Sequence, residues 1–222
     1  MSTKIALFDF CETLADFQTA DAFVRYAENK IKNVHLSAVL WYRVLSKTKI
    51  LAVLHRIFSK QSIGKRLLLR RLKGTTKTEM DRIARHYYNT VIRDRLISRM
   101  MDELQHAKVN GFDIYIVSGG YDIYLKYFAE DHGIKGVIAS TLEFKDGIFS
   151  GKLSGKDCMY ENKIKRILQE IPGTNYSDWR AYSDSISDIP MLKLVGNPFV
   201  VSRNRPQKWA KELGFPQIVW EE

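Results

Sequence analysis

Three apolar runs in this chain each stop on a polar group. Lys4-Ile5-Ala6-Leu7-Phe8 stops on Asp9, Phe112-Asp113-Ile114-Tyr115-Ile116-Val117 on Ser118-Gly119-Gly120, and Ala181-Tyr182-Ser183 on Asp184. Thr13 follows Asp9, Asp188 follows Asp184, and Lys163 falls in a helical pattern between the second and third runs. Short apolar runs of this kind read as buried parallel strands. In an open α/β sheet, ligands bind in the crevice outside the carboxyl ends of the strands. Asp9 therefore stands where a nucleophile or a metal ligand is useful.

Each group also has a plainer reading. Asp9 alone could be a helix N-cap, and Asp184 and Asp188 could be helix-start charges favoured by the dipole. Ser118-Gly119-Gly120 alone is a turn, and Lys163 alone is no different from Lys165 or Arg166 on an exposed helix face. Cys158 reads as a small buried or loop residue. His35, His55, His86, His106 and His132 are scattered at spacings that make no relay.

The elements that must position these groups alternate. After the first strand come four helical patterns: one from Asp21, one from about 36 to 58, one from Ile63 to Leu72 ending at Gly74, and one from Thr78 to about Ile97. From Asn110 onward strands and helices alternate. The strands are the one ending at Ser118, then Val137–Ser140, Ala181–Asp184 and Phe199–Val201. The helices are one after Gly120, then Glu161–Ile171, Ile189–Leu194 and Gln207–Leu213. Asp146-Gly147 inside an alternating stretch from 142 to 155 reads as a hairpin. The pattern predicts an α/β, doubly wound parallel sheet with a helical insertion after its first strand, so that 1–16 and 96–222 form the core and 17–95 the inserted cap.

Composition is that of an ordinary globular chain: 222 residues, 45% hydrophobic and 27% charged. Two cysteines without CxxC spacing argue against a disulfide framework or a zinc site, and the short apolar start is too brief for a secretory signal, so a cytoplasmic address is expected. Residues 38–54 are apolar, but Arg43, Lys47 and Lys49 interrupt them, so the stretch reads as a soluble or interfacial helix rather than a span. The net charge of +10 is concentrated: residues 17–95 carry 18 Lys and Arg against 5 Asp and Glu. Such an excess should draw anions to the crevice beneath it, although Lys65-Arg66 and Arg70-Arg71-Lys73 could simply be a solvated helix face. Trp41 with Tyr42, and Tyr87 with Tyr88, read as packing within the insertion or against the core.

Taken together, Asp9-Phe10-Cys11-Glu12-Thr13-Leu14, Val117-Ser118-Gly119-Gly120, Glu161-Asn162-Lys163 and Tyr182-Ser183-Asp184-Ser185-Ile186-Ser187-Asp188 resemble the four motifs of the haloacid dehalogenase superfamily. Helices inserted directly after the first motif resemble its phosphoserine-phosphatase-like branch, whose Rossmann-like core carries a cap at that point. The resemblance implies a phosphatase or phosphotransferase in which Asp9 attacks phosphorus to give an aspartyl-phosphate. It implies Mg2+ held by Asp9, the main-chain carbonyl of Cys11 and Asp184, with Asp188 supporting the metal site. Thr13, Ser118, Gly119 and Lys163 are implied as phosphate-binding groups, and Asp9, Cys11 and Lys163 as the catalytic set. Lys156 is a rival for the lysine role.

The pattern departs at Cys11, where the family usually has a second aspartate that protonates the leaving group, and at Glu12, where glycine is common. A thiol has an ordinary pKa near 8.5 and is a poor hydrogen-bond partner, so poor leaving groups should suffer most. The expected substrate is an anionic phosphorylated small molecule, such as a sugar phosphate, nucleotide or lipid-phosphate headgroup, with phosphoserine disfavoured. No nucleic-acid-binding module is evident, and a membrane-surface contact is a further expectation from charge alone. A reading from another class stays open: a silent protein of the same fold that holds anionic lipid or nucleic acid on its basic insertion.

Overall fold

All four residues of the strand β1 (Ile5–Phe8) are apolar and buried. Ile5 and Leu7 join one apolar cluster while Ala6 and Phe8 join another, so the strand is covered on both faces. The computed structural model describes residues 4–31, 62–173 and 175–221. The helix expected near 36–58, with Trp41 and Tyr42, lies outside them.

Five further strands complete the sheet with β1: β2 (Asp113–Tyr121), β3 (Gly136–Ser140), β6 (Arg180–Ser183), β7 (Asn197–Arg203) and β8 (Gln217–Trp220). Their order is β3-β2-β1-β6-β7-β8, and every pairing is parallel. This is the predicted doubly wound sheet. The edge strand β8 escapes the sequence reading because it is four residues long and follows Pro216 in a segment with little alternation. The chain builds outward from β1 through β2 to β3, then crosses to place β6 on the other side of β1. The winding thus reverses between β1 and β6, which is where α/β sheets bind ligands.

Eight α-helices are described: α1 (Thr19–Lys30), α2 (Ser62–Arg70), α3 (Lys77–Tyr87), α4 (Ser98–Val109), α5 (Asp122–His132), α6 (Glu161–Glu170), α7 (Ile189–Leu194) and α8 (Lys208–Glu212). The fourth predicted helix does not run straight to Ile97. It ends at Tyr87, passes through a π turn at Tyr88–Ile92 and closes in a 3-10 turn at Arg93–Arg95. The π turn lets two adjacent tyrosines both be buried, Tyr87 donating to the Thr19 carbonyl and Tyr88 to Asp131.

The chain leaves the sheet and returns to it side by side. Asp16 N–H donates to the Arg95 carbonyl, Ile97 N–H to the Leu14 carbonyl, and Arg95 pairs with Asp16 at 2.8 Å. The predicted hairpin is formed by β4 (Leu142–Lys145) and β5 (Ile148–Leu153), with Asp146 and Gly147 at φ 49° and 76° in the turn. It is hydrogen-bonded to the stretch after α2 and to the start of α3: Phe149 N–H donates to the Thr75 carbonyl at 2.8 Å and Lys77 N–H to the Gly147 carbonyl at 2.7 Å.

Candidate active site

The strand ends at the winding reversal bring the first and fourth motifs together. Asp9 N–H donates to the Tyr182 carbonyl at 2.9 Å, carrying the β1–β6 pairing one residue past β1 and fixing Asp9 at the sheet's carboxyl edge. Beneath it, Tyr182 stacks between Phe8 and Phe199, with centroids 4.2 and 5.0 Å away, which stiffens both strand ends.

Lys163, in the first turn of α6, projects into this edge and is buried. Its ammonium donates to Asp9 Oδ1 at 2.9 Å and to Asp188 Oδ2 at 2.5 Å. Ser183 also donates to Asp188 Oδ2, at 2.7 Å, so Asp188 serves as a brace that holds Lys163 against Asp9. Burial alone pulls the Lys163 ammonium down, but Asp188 and Asp9 more than offset it and hold it above its ordinary value.

Asp184 stands at the end of β6, the strand paired with β1. The Thr13 hydroxyl donates to Asp184 Oδ1 at 3.1 Å and accepts from Asp184 N–H at 3.0 Å. Thr13, expected among the phosphate-holding groups, thus has its proton engaged by Asp184 and orients that carboxylate. Burial, and then the negative charges of Asp9 and Glu12, raise Asp184 to about 8. Asp9 is raised to about 6, mainly by burial, with Lys163 opposing the rise.

Ser118 and Gly119 come from β2, which continues past the predicted end to Tyr121 with a shift in its pairing to β3. The irregularity suits glycine: a Cβ on Gly120 would sit 2.6 Å from the Tyr124 hydroxyl, and one on Gly119 would sit 3.0 Å from Met159 Cγ. Ser118 is fully buried, and its Oγ accepts from Gly120 N–H at 3.0 Å.

Cys11 follows Asp9 in a tight turn, where Glu12 takes φ 57°. The Cys11 thiol lies 3.0 Å from the Thr19 hydroxyl, which in turn lies 2.8 Å from the Tyr124 hydroxyl. Burial, followed by the nearby Asp9 charge, pushes the thiol up to about 11. It therefore keeps its proton at neutral pH. The Glu12 carboxylate is exposed and accepts from the Gln18 amide.

Several neighbours were missed by the sequence reading. Thr19 and Tyr124 gave no signal, because a Thr at a helix start and a Tyr in a helix are ordinary. Lys65 did give one: with Leu68, Leu69 and Leu72 it sits at i, i+3, i+4 and i+7, on an apolar stripe. It is buried rather than part of a solvated face, and it donates to the Gly119 carbonyl and to Asp157. Arg71 of the same basic cluster pairs with Glu28.

A family model described as haloacid dehalogenase-like hydrolase matches residues 6–193, a span that takes in Asp9, Cys11, Thr13, Ser118, Gly119, Lys163, Asp184 and Asp188. The chain belongs to the haloacid dehalogenase-like hydrolases. Among its relatives, a phosphoserine phosphatase of Methanocaldococcus jannaschii is 28% identical over 198 residues, covering 87% of this chain and 82% of that one. A phosphoserine phosphatase of Mycobacterium tuberculosis is 27% identical over 155 residues, 68% of this chain but only 50% of that protein. A histidinol-phosphatase of Neisseria meningitidis is 29% identical over 122 residues, 52% of this chain and 55% of that one. A solved substrate-bound phosphoserine phosphatase superposes with a TM-score of 0.64 at 23% identity, covering 98% and 93% of the two chains. A Bordetella pertussis protein of unknown function superposes with a TM-score of 0.80 at 20% identity, covering 98% and 99%. This haloacid dehalogenase-like hydrolase thus sits in the phosphoserine-phosphatase-like branch, among phosphoric monoester hydrolases.

Magnesium is the cofactor to test against this donor set. Among the described residues no three His, Cys, Asp or Glu side chains gather as a metal cage. Magnesium asks for less, usually one or two carboxylates with water and substrate phosphate supplying the rest. Asp9 and Asp184 fit that need. Asp9 is buried and Asp184 half-buried, burial and the Asp9 charge raise Asp184, and a hard dication beside the two would offset that repulsion. Among the described residues, no helix is long and apolar enough to cross a membrane.

Proposed function

We propose that this hydrolase releases or transfers the phosphoryl group of an anionic phosphorylated small molecule through an aspartyl-phosphate on Asp9. The observation that carries the reading is the buried Asp9, held by the Lys163 ammonium at the winding reversal of the sheet, with its charge felt by Asp184 at the end of the neighbouring strand. A carboxylate held at one oxygen by an ammonium keeps its orientation without losing its charge, as attack on phosphorus requires. Lys163, the Ser118 hydroxyl and N–H groups near Gly119 are suited to the charge that grows on the equatorial oxygens. Asp9, Asp184 and the Cys11 main-chain carbonyl would hold magnesium, which when bound supplies further neutralisation of that charge.

Cys11 narrows the substrate. A buried thiol at about 11, with Thr19 as its partner, stays protonated at neutral pH and so takes no proton from water, and as an acid it is far weaker than the carboxyl group usual at this position. Substrates whose leaving groups depart without help, such as acyl phosphates and phosphoanhydrides, are therefore favoured over alkyl esters. The basic stretch 17–95, read as a cap over the core, favours anionic over zwitterionic substrates.

A phosphatase panel run with and without magnesium tests this directly. Magnesium-dependent turnover of acetyl phosphate, abolished in Asp9→Asn, is expected. Undiminished turnover in that variant would overturn the reading. Salt-sensitive binding to anionic vesicles without turnover of any substrate would instead support the silent binding protein, a reading that rests on Cys11 and the basic stretch.

A further inference from the structure

We infer that Lys65 is a positioning residue for the Ser118–Gly120 turn of backbone at the irregular end of β2, making its anion-holding geometry depend on the seating of helix α2. The inference rests on the proposed function in one respect, the reading of Ser118 as a donor to the phosphoryl group.

Lys65 is only 8% exposed, and its ammonium has three acceptors: the Gly119 carbonyl, Asp157 Oδ1 at 2.7 Å and Ser140 Oγ at 3.3 Å. An ammonium has three protons, so these acceptors use its full donor capacity. The Tyr121 ring lies 4.9 Å away on a further side. Lys65 is thus not a free cation awaiting substrate. Asp157 balances its charge, and Ser140 ties the pair to the core by donating to Asp157 at 2.5 Å and accepting from Cys158 N–H at 3.0 Å.

Burying a lysine is costly unless its charge and its protons are both satisfied, and beyond its ion pair this one holds Ser140 Oγ and the Gly119 carbonyl. That carbonyl and the Gly120 N–H belong to one planar peptide group, so fixing its oxygen fixes the direction of its N–H. The N–H donates to Ser118 Oγ at 3.0 Å. A hydroxyl that accepts there keeps its own proton for another acceptor, which on the proposed function is an oxygen of the bound anion. Lys65 therefore acts on Ser118 through one peptide plane. It does so from α2, whose C-terminal side runs into the stretch hydrogen-bonded to the β4–β5 hairpin.

The test compares wild type, Ser118→Ala, Lys65→Met with Asp157→Asn, and the combination of all three changes. Removing both charges avoids stranding a buried carboxylate, so a thermal midpoint near wild type is expected for the charge-free pair. Its kcat/KM for acetyl phosphate should nevertheless fall, on the order of 100-fold, because the Ser118 donor is misdirected. Adding Ser118→Ala to that background should then cost less than about twofold, whereas the same change costs far more in wild type. Hydrogen exchange at the Gly120 amide should be faster by about tenfold or more in the charge-free pair. Additive losses, or unchanged Gly120 exchange, would overturn the inference. The exchange measurement needs no turnover, so a wild type without phosphatase activity would end the proposed function while leaving the Lys65 contact decidable.

Discussion

The Cys11 thiol and the Thr19 hydroxyl stand 3.0 Å apart, linking the turn after Asp9 to the first residue of α1. Tyr124 extends the link from the other side of Thr19, and Tyr87 donates to the Thr19 carbonyl at 2.9 Å. The residue two places after the proposed nucleophile is thus directed into a buried hydroxyl chain.

Replacing that thiol with a carboxyl group should restore proton transfer. In Cys11→Asp the new group would lie beside Asp9 and Asp184, whose charges favour its protonated form. Hydrolysis of an alkyl phosphate is expected to rise by about tenfold or more relative to acetyl phosphate, within the range that general acid catalysis supplies. Steady-state kinetics on the two substrates checks this. Equal changes on both would show that Cys11 does not limit leaving-group departure.

Lys163 should matter to folding as well as to chemistry. It is the ammonium shared by two buried carboxylates, and Lys163→Met would strand both. A loss of about 3–5 kcal/mol is expected in urea denaturation, and Asp188→Asn in the same chain should recover part of it. Loss of less than about 1 kcal/mol would mean that the pair is solvent-relaxed.

Magnesium should stabilise the protein more at higher pH. Asp9 is raised from 3.8 to about 6 and Asp184 from 3.8 to about 8, so without metal the folded state binds more protons than the unfolded state across that interval. Stability contributed by the protonated groups is complete below about pH 4 and is lost as pH rises, through about 6 for Asp9 and about 8 for Asp184. The metal-free melting temperature should therefore carry a falling contribution from these groups over that interval. The increment produced by magnesium should be larger at about pH 8 than at about pH 5, because metal competes with those protons. Scanning fluorimetry measures both, and an increment that shrinks with pH would contradict the account.

Gly120 marks the other end of the hydroxyl chain. A Cβ there would meet the Tyr124 hydroxyl at 2.6 Å, so Gly120→Ala must displace the tyrosine, its Thr19 contact or the β2 backbone itself. A destabilisation of about 1–3 kcal/mol is expected from denaturant titration, with a lowered kcat/KM. Unchanged stability and activity would show that this backbone yields freely.

Much of the fold was legible because burial and periodicity coincide. β1 is a continuous apolar run since it is covered on both faces, and Asp146-Gly147 announces a turn that takes positive φ at both residues. Asp9, Lys163, Asp184 and Asp188 drew notice through their order and their places at strand ends and helix starts, and the structure joins Lys163 to Asp9 and Asp188 while Asp184 is bonded to Thr13. The commitment of the Thr13 hydroxyl to Asp184 was not legible, since a hydroxyl's partner is set by tertiary packing across 171 positions of sequence. Lys65 was misjudged for a related reason. Its charge argued for solvent, while its place on the stripe with Leu68, Leu69 and Leu72 argued for burial, and a carboxylate 92 positions away decided the matter.

The most direct measurement is mass spectrometry of peptides from enzyme acid-quenched during turnover of acetyl phosphate with magnesium. The account predicts phosphate on the peptide containing Asp9, localised to that residue and absent from Asp9→Asn. Phosphate carried on a different residue, or turnover undiminished in Asp9→Asn, would contradict it.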